Sequence, residues 1–358
     1  MKAWQLERLG GELTLQERPV PEPGAGAVVV RMQASALMSY MRDFVEGKLP
    51  NYRVPDAPFV PGGNGTGTVH AVGPGVWHLR PGQRVVTSSH FVADENAREP
   101  AQILLGITAL AAPAEQVQTR WPDGTLCEYA VLPASVVTAA DGLEAFDPVR
   151  LALCTRFVVP YGGLRRGRLS AGETVVVSGA TGAYGSAAVL LALAMGAARV
   201  VAVGRNRDAL DALVAAAGSR VVAVAISGDA RADAQAIRAA AQGGADLAFD
   251  MVGGARDPDA TLAALRSLAR GGRLVLMGSM SVPLPIPYAE VMLNDWEILG
   301  QFMYPRDAYR RVLDLVRAGL LDLDAIRSRT FALPDLRAAM AAAAGAGNLD
   351  CVVMIHGD

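Results

Sequence analysis

The sequence predicts an α/β protein in which a doubly wound parallel sheet is inserted into a mostly β domain. Three observations predict it. The first 150 residues are rich in proline, glycine and short β-branched runs. After Arg150, strand-like apolar runs alternate with helical stretches. Finally, 358 residues of which 51% are hydrophobic are ample for two buried cores.

In chain order, "AVVVRMQASA", "GTGTVHAVG", "GQRVVTSS" and "LCEYAVLP" read as short strands joined by turns. Between them "PAQILLGITALAA" reads as helical. The texture then changes. "ETVVVSGATGAYGSAAVLLALAMGA" is strand, turn and helix. "RVVAVGRNRDALDALVAAAG" repeats the scheme, as do "SRVVAVAI" before "ADAQAIRAAAQ" and "ADLAFDMVGG" before "DATLAALRSLARGG", and "RLVLMGSM" closes the series. Strands apolar on both faces imply a parallel sheet covered by helices. The last segment adds the amphipathic helix "RDAYRRVLDLVRAGLL", a strand, a helix and a final strand. The expected division is residues 1–150, 151–303 for the inserted sheet, and 304–358 returning to the first domain. Thr174 to Ala198 carries no charge, but a strand, a glycine turn and a buried helix explain this better than a membrane span.

A net charge of -2 and a pI of about 6.1 offer no electrostatic reason for a nucleic-acid or anionic-membrane partner. Cys127, Cys154 and Cys351 lie far apart with no CxxC pair, which fits a reducing compartment. The opening "MKAWQLERLGG" is charged where an export signal needs an apolar core, so a cytoplasmic location is expected.

In "VVVSGATGAYGS", Gly179, Gly182 and Gly185 follow a strand and open a helix. This G-x-x-G-x-x-G spacing suits a turn whose backbone approaches a pyrophosphate at the helix N-terminus. Thr181, Ala183 and Tyr184 within it join the expected cofactor contacts, and a turn needed only for packing is the alternative. The next strand ends in Gly204-Arg205-Asn206-Arg207, with no carboxylate to repel a 2′-phosphate and two guanidiniums to pair with it. NADPH is therefore expected, with solvent-facing arginines as the alternative. Val252 and Gly278, at the ends of two later strands, complete the expected cofactor set.

The order of these signatures resembles the medium-chain dehydrogenases/reductases, which include alcohol dehydrogenases and quinone oxidoreductases. The similarity runs from "MKAWQL" and "PVPEPGAGAVVVRMQASA" through "VPGGNGTGTVHAVGPGVWHLRPGQRVV", "DGTLCEYAVLP", the nucleotide loop, "DLAFDMVGG" and "LARGGRLVLMGS". The resemblance implies a Rossmann-type cofactor domain inserted into a GroES-like catalytic domain. It also implies NAD(P)H-linked chemistry on a small molecule and a homodimer formed through the cofactor domains.

Departures from the family pattern narrow the expectation. Zinc-containing members carry Cys-x-Ser/Thr, then Gly-His-Glu, then a second Cys near the domain junction. The matching positions here are Met38-Ser39-Tyr40, Gly62-Gly63-Asn64 and, most nearly, Cys154. The lobe from Ser88 to Pro122, which holds a structural zinc in such members, has no cysteine. No metal is expected, because a lone thiolate cannot assemble a tetrahedral site; His90 or His70 with Cys154 is the alternative donor set. Without a Lewis acid, quinones, enones and activated carbonyl compounds are the expected hydride acceptors. The alternatives are a metal-free NADP-dependent alcohol or aldehyde dehydrogenase and a non-catalytic NADPH-binding sensor.

Tyr40 and Asn64 are the catalytic candidates. Tyr40 stands where zinc enzymes place a relay hydroxyl, and either donates to the substrate oxygen or packs. Asn64 either polarises a carbonyl through its amide or caps its turn. Met38, Phe91, Cys154, Phe302 and Tyr304 are expected to wall the substrate pocket, with a core role as the alternative. Arg156 is a cofactor contact or a surface residue. Mitochondrial enoyl thioester reductases carry a tyrosine in a "GxYP" context, where this chain has "GKLP" with Leu49, and Tyr52 follows three residues later. That departure counts against an acyl-thioester reductase of this type.

Overall fold

The computed structural model describes residues 1–110 and 114–357. Six parallel strands form one sheet in the order Val221–Ala225, Arg199–Gly204, Thr174–Ser178, Ala245–Asp250, Leu268–Leu276, Glu297–Gly300. The chain starts this sheet in its middle, builds outward on one side, then crosses over and builds outward on the other. The order reverses between Thr174–Ser178 and Ala245–Asp250, and at such a reversal the strand ends leave a crevice for a ligand. Val175, Val176 and Val177 have no exposed surface because helices cover both faces. Local chemistry starts those helices. The Asn206 side chain accepts from Ala209 N–H to cap Arg207–Ala217, and Asp229 accepts from Arg231 and Ala232 N–H to cap Ala230–Ala240.

The other domain centres on the long strand Ala27–Ala36. It pairs antiparallel with Gly65–Val72, Tyr129–Pro133 and Asp350–Ile355. Asp350–Ile355 in turn pairs parallel with Arg327–Ala332, so the C-terminal segment re-enters the sheet that the N-terminal segment began. This is the doubly wound α/β domain inserted into a mostly β domain. No helix among the described residues is long and apolar enough to cross a membrane.

One expected helix is absent. "PAQILLGITALAA" forms the strands Gln102–Leu104 and Thr108–Ala109, which with His90–Val92 make a small antiparallel sheet; residues 111 and 112 lie outside the described residues. The reason is tertiary. Gly106 sits at φ +64°, and a Cβ there would lie 2.4 Å from the Gly62 carbonyl oxygen and 2.6 Å from Gly124 Cα. Close packing against these two backbones bends the apolar run into a turn.

His356 ties the returning segment down. Its Nδ1–H donates to the Cys127 carbonyl (2.9 Å), and its Nε2 accepts from the Ser35 hydroxyl (2.7 Å). Burial holds its pKa down at about 4, so the folded protein keeps it neutral. The unfolded chain protonates this ring from about pH 6.5 downward. Stability contributed by the neutral ring is therefore complete above that value and lost as pH falls toward 4, by about 3 kcal/mol. Urea unfolding at pH 7 and pH 4.5 is expected to show this loss in the wild type and a much smaller one in His356→Asn. Equal losses in both proteins would assign the acid sensitivity to other groups.

Candidate active site

The strand Thr174–Ser178 delivers the glycine turn to the reversal point. Gly179 takes φ +78°, and a Cβ on Gly185 would lie 2.0 Å from the Gly179 carbonyl oxygen, so the turn closes only with glycine there. Gly182 is the N-cap of the helix Ala183–Ala194, whose first amides, Ala183, Tyr184 and Gly185, have no intrahelical acceptor. Val252 and Gly278 face each other at the ends of the two neighbouring strands, where a Cβ on Gly278 would lie 2.2 Å from the Val252 carbonyl oxygen. Gly204 lies against Thr181 at the end of the next strand. Beyond it, Arg207 pairs with Asp211 (3.2 Å), whereas Arg205 is exposed and joins no ion pair among the described residues. This cradle fits a dinucleotide: bare backbone at the turn, open amides at a helix end, and a cation at the second strand.

Arg156 proves to be buried rather than on the surface. It donates to the Ala183 carbonyl from Nε (3.1 Å) and Nη2 (2.5 Å), and to the carbonyls of Asn348 and Asp350 (both 2.9 Å). Asn348 N–H donates to the Thr181 carbonyl (3.0 Å), and its Nδ2 donates to the Ala209 carbonyl (2.9 Å). The glycine turn, the helix Thr155–Arg166 and the C-terminal segment are thereby held as one unit.

Tyr40 borders that unit. It lines a cavity with Met38, Ser39, Thr155, Tyr184 and Cys351. Burial raises its phenol well above the usual value, reinforced by the nearby Tyr184 and Tyr52 hydroxyls, so it remains protonated across the neutral range. Met38 also lines an adjoining cavity, with Ser35, Gly63, Asn64 and Thr125.

Asn64 is the hub of a buried polar cluster. Its Oδ1 accepts from Ser89 N–H (2.8 Å) and from the Tyr309 hydroxyl (3.2 Å), with the Tyr304 hydroxyl at 3.5 Å. Thr155 Oγ1 lies 3.3 Å from the Tyr309 oxygen, and Ser88 Oγ 2.9 Å from that of Tyr304. Burial pushes Tyr304 up to about 12 and Tyr309 well above its usual value, so both phenols keep their protons.

Of the other expected pocket residues, Phe91 and Phe302 each border a cavity together with Tyr304, whereas Cys154 lies in the core. Cys154 has no exposed surface, sits in the core with Leu151, Leu153 and Phe157, and is pushed up to about 12 by burial. It is the neighbouring Thr155 that reaches the cluster, through the Tyr309 hydroxyl. Phe91 stacks edge-on against Trp121 (6.3 Å) and borders the outer side of Tyr304 and Tyr309. Phe302 is 49% exposed and lies edge-on to His90 (5.9 Å). Tyr309 and Ser89 were missed. Tyr309 reads as one apolar position of an amphipathic helix, and nothing local marks its hydroxyl.

Zinc does not fit this cluster. Met38, Asn64 and Thr155 supply no thiolate or imidazole, and a Cβ on Gly63 would lie 2.4 Å from Ser89 Cβ, where a histidine side chain would have to begin. His90 is engaged by Gln102 (3.0 Å) and the Tyr304 carbonyl (3.1 Å), and His70 is exposed against Tyr129. Among the described residues no group of three or more His, Cys, Asp or Glu is placed to hold a metal.

Comparison with known proteins places the chain. Residues 24–141 match the alcohol dehydrogenase GroES-like domain, and residues 183–318 match the zinc-binding dehydrogenase family. An alcohol dehydrogenase of Moraxella sp. (strain TAE123) is 33% identical over 321 residues, 89% of each chain. Sorbitol dehydrogenase of Homo sapiens is 28% identical over 300 residues, 82% of this chain and 79% of its own. Among solved structures, AibC superposes with a TM-score of 0.82 at 24% identity, covering 100% of this chain and 96% of its own. The alcohol dehydrogenase TADH from Thermus sp. ATN1 superposes with a TM-score of 0.78 at 23% identity, covering 100% of both chains. With a GroES-like domain, an inserted parallel sheet and this level of identity, the chain belongs to the alcohol dehydrogenase family of medium-chain dehydrogenases/reductases and is an oxidoreductase enzyme.

Proposed function

We propose that this enzyme is a zinc-independent, NADPH-dependent reductase of quinones, enones or similarly activated carbonyl compounds. The observation that carries the reading is the Asn64 cluster. Where related enzymes gather thiolate and imidazole ligands, this chain gathers an amide and hydroxyl groups, with Ser89 filling the space beside Gly63. When bound, the nicotinamide supplies a hydride. The chain's own residues position the substrate and meet the charge that develops on its oxygen, so acceptors that delocalise charge are favoured. Tyr40, protonated and beside the nucleotide turn, is the proposed proton donor. Arg205 supports the choice of NADPH, because a 2′-phosphate there gains a charge-assisted pair.

A homodimer joined through the cofactor domains is part of this reading. Among the described residues the edge strand Glu297–Gly300 is unpaired on its outer side, and nearby Ile286, Tyr288, Met292 and Leu293 are exposed. A cytoplasmic location fits the same reading.

The test is NADPH consumption against a panel of quinones, enones, aldehydes and ketones, before and after chelation, together with metal analysis. Turnover that survives chelation in zinc-free protein is the expected result; stoichiometric zinc whose removal abolishes turnover would overturn it. In the same assay Arg205→Ala is expected to weaken NADPH about tenfold or more and leave NADH unchanged. The names of the curated relatives favour a second reading, NADP-linked oxidation of an alcohol. Running the panel with alcohols and NADP separates the two.

A further inference from the structure

Resting on the reductase reading, we infer that Asn64 presents its amide N–H groups to the substrate oxygen, and that Ser89 and Tyr309 fix it in that orientation. The two ends of an asparagine amide differ only in donor and acceptor character, so the partners decide which way it points. Here one partner is unambiguous. Ser89 contributes a backbone N–H, which only donates, and it meets the amide at 2.8 Å; the atom it meets is the oxygen. Tyr309 adds a second donor. An amide oxygen only accepts, so the Tyr309 hydroxyl donates to Asn64 Oδ1 at 3.2 Å, and its own oxygen is left to accept from Thr155 Oγ1 at 3.3 Å. With Oδ1 engaged by these two donors and the Tyr304 hydroxyl 3.5 Å away, Nδ2 turns the opposite way, and among the described residues it has no acceptor. Asn64 borders the cavity shared with Ser35, Met38 and Gly63, and Met38 links that cavity to the one holding Tyr40 and Tyr184 of the nucleotide turn.

The ligand chemistry follows. Two N–H donors recognise a neutral carbonyl oxygen and gain strength as it becomes negative. Hydride addition to a carbonyl carbon, or to the β-carbon of an enone, sends the π electrons onto that oxygen while NADPH is oxidised to NADP. A proton from Tyr40, replenished by solvent, then completes the neutral product. Preorganised donors of this kind act on the transition state more than on the bound substrate. Ser89 and Tyr309 are positioning residues, since they act through Asn64.

The test uses Asn64→Asp and Tyr309→Phe. Aspartate accepts from the same two donors but offers no N–H. At pH 8, turnover of the best panel substrate is expected to fall about 10²–10³-fold with NADPH binding, read by fluorescence quenching, unchanged. As pH falls toward 5 the protonated acid supplies an O–H in place of the N–H, so Asn64→Asp regains turnover along an acid limb that the wild type lacks. Tyr309→Phe keeps the ring and removes one donor, and is expected to lower kcat about 3- to 10-fold at unchanged NADPH affinity. Asn64→Asp turnover within twofold of wild type, or a loss without the acid limb, overturns the assignment. So does an unchanged kcat in Tyr309→Phe, which keeps the test open if the aspartate variant does not fold. A wild type that reduces no member of the panel overturns the reductase reading itself, and this assignment with it.

Discussion

Tyr40→Phe is expected to slow NADPH-dependent turnover at least tenfold while NADPH affinity and the fold are preserved. Tyr40 lies between the loop that carries Met38 and the short helix Met41–Val45, and its half-buried ring packs against the core of the β domain. Phenylalanine keeps that packing, and loss of a single hydroxyl contact costs about 1 kcal/mol. The hydroxyl itself is held protonated by burial, beside Tyr184 at the glycine turn. Positioned proton donors contribute roughly 10²–10⁴-fold to rate, far more than such a change in stability. Steady-state kinetics at saturating NADPH, together with a fluorescence titration, check this result. Turnover equal to wild type in a folded Tyr40→Phe protein would leave Tyr40 a packing residue.

Gly185→Ala is expected to weaken NADPH binding on the order of 10²-fold. The added Cβ would lie 2.0 Å from the Gly179 carbonyl oxygen and 2.9 Å from Ala180 Cα. Both atoms are backbone, so no side chain can rotate away, and the turn must open between strand and helix. A displacement of about 1 Å is enough to spoil geometry that binds or reacts, and the strain costs about 1–3 kcal/mol of stability as well. Gly182→Ala is the matched control. Gly182 is exposed at the helix N-cap and its Cβ would meet only the Gly179 oxygen, at 3.3 Å, so a much smaller loss is expected there. If both variants bind NADPH as the wild type does, the turn is not the pyrophosphate site.

Much of the fold was legible along the chain because it is written in local patterns. Runs such as Val175-Val176-Val177, apolar on both faces, imply a covered parallel strand wherever they occur. Glycines spaced between such a strand and a helix imply a tight turn. The lobe after Ser88 was less legible. "AQILLGITAL" has the composition of a buried helix as much as of a hairpin, and what bends it is the backbone of Gly62 and Gly124 pressed against Gly106. That contact joins segments distant in sequence, which no local window contains.

The site divides in the same way. The sequence by itself determined that Met38, Gly63 and Asn64 bring no thiolate, imidazole or carboxylate, and the family resemblance implied that these are positions where zinc-containing members carry such donors. It also determined the cation at the end of the second strand, because Arg205 follows the strand's last residue. Only the tertiary structure decided what fills the space instead. Tyr309 meets Asn64 from 245 positions away, Ser89 from 25, and Thr155, the first residue of its helix, reaches Tyr309 while Cys154 before it packs in the core. The reason is physical. Periodicity records which side chains leave water, and a hydroxyl on a buried ring leaves water with the ring. Which partner then satisfies that hydroxyl depends on how strand, helix and loop pack together.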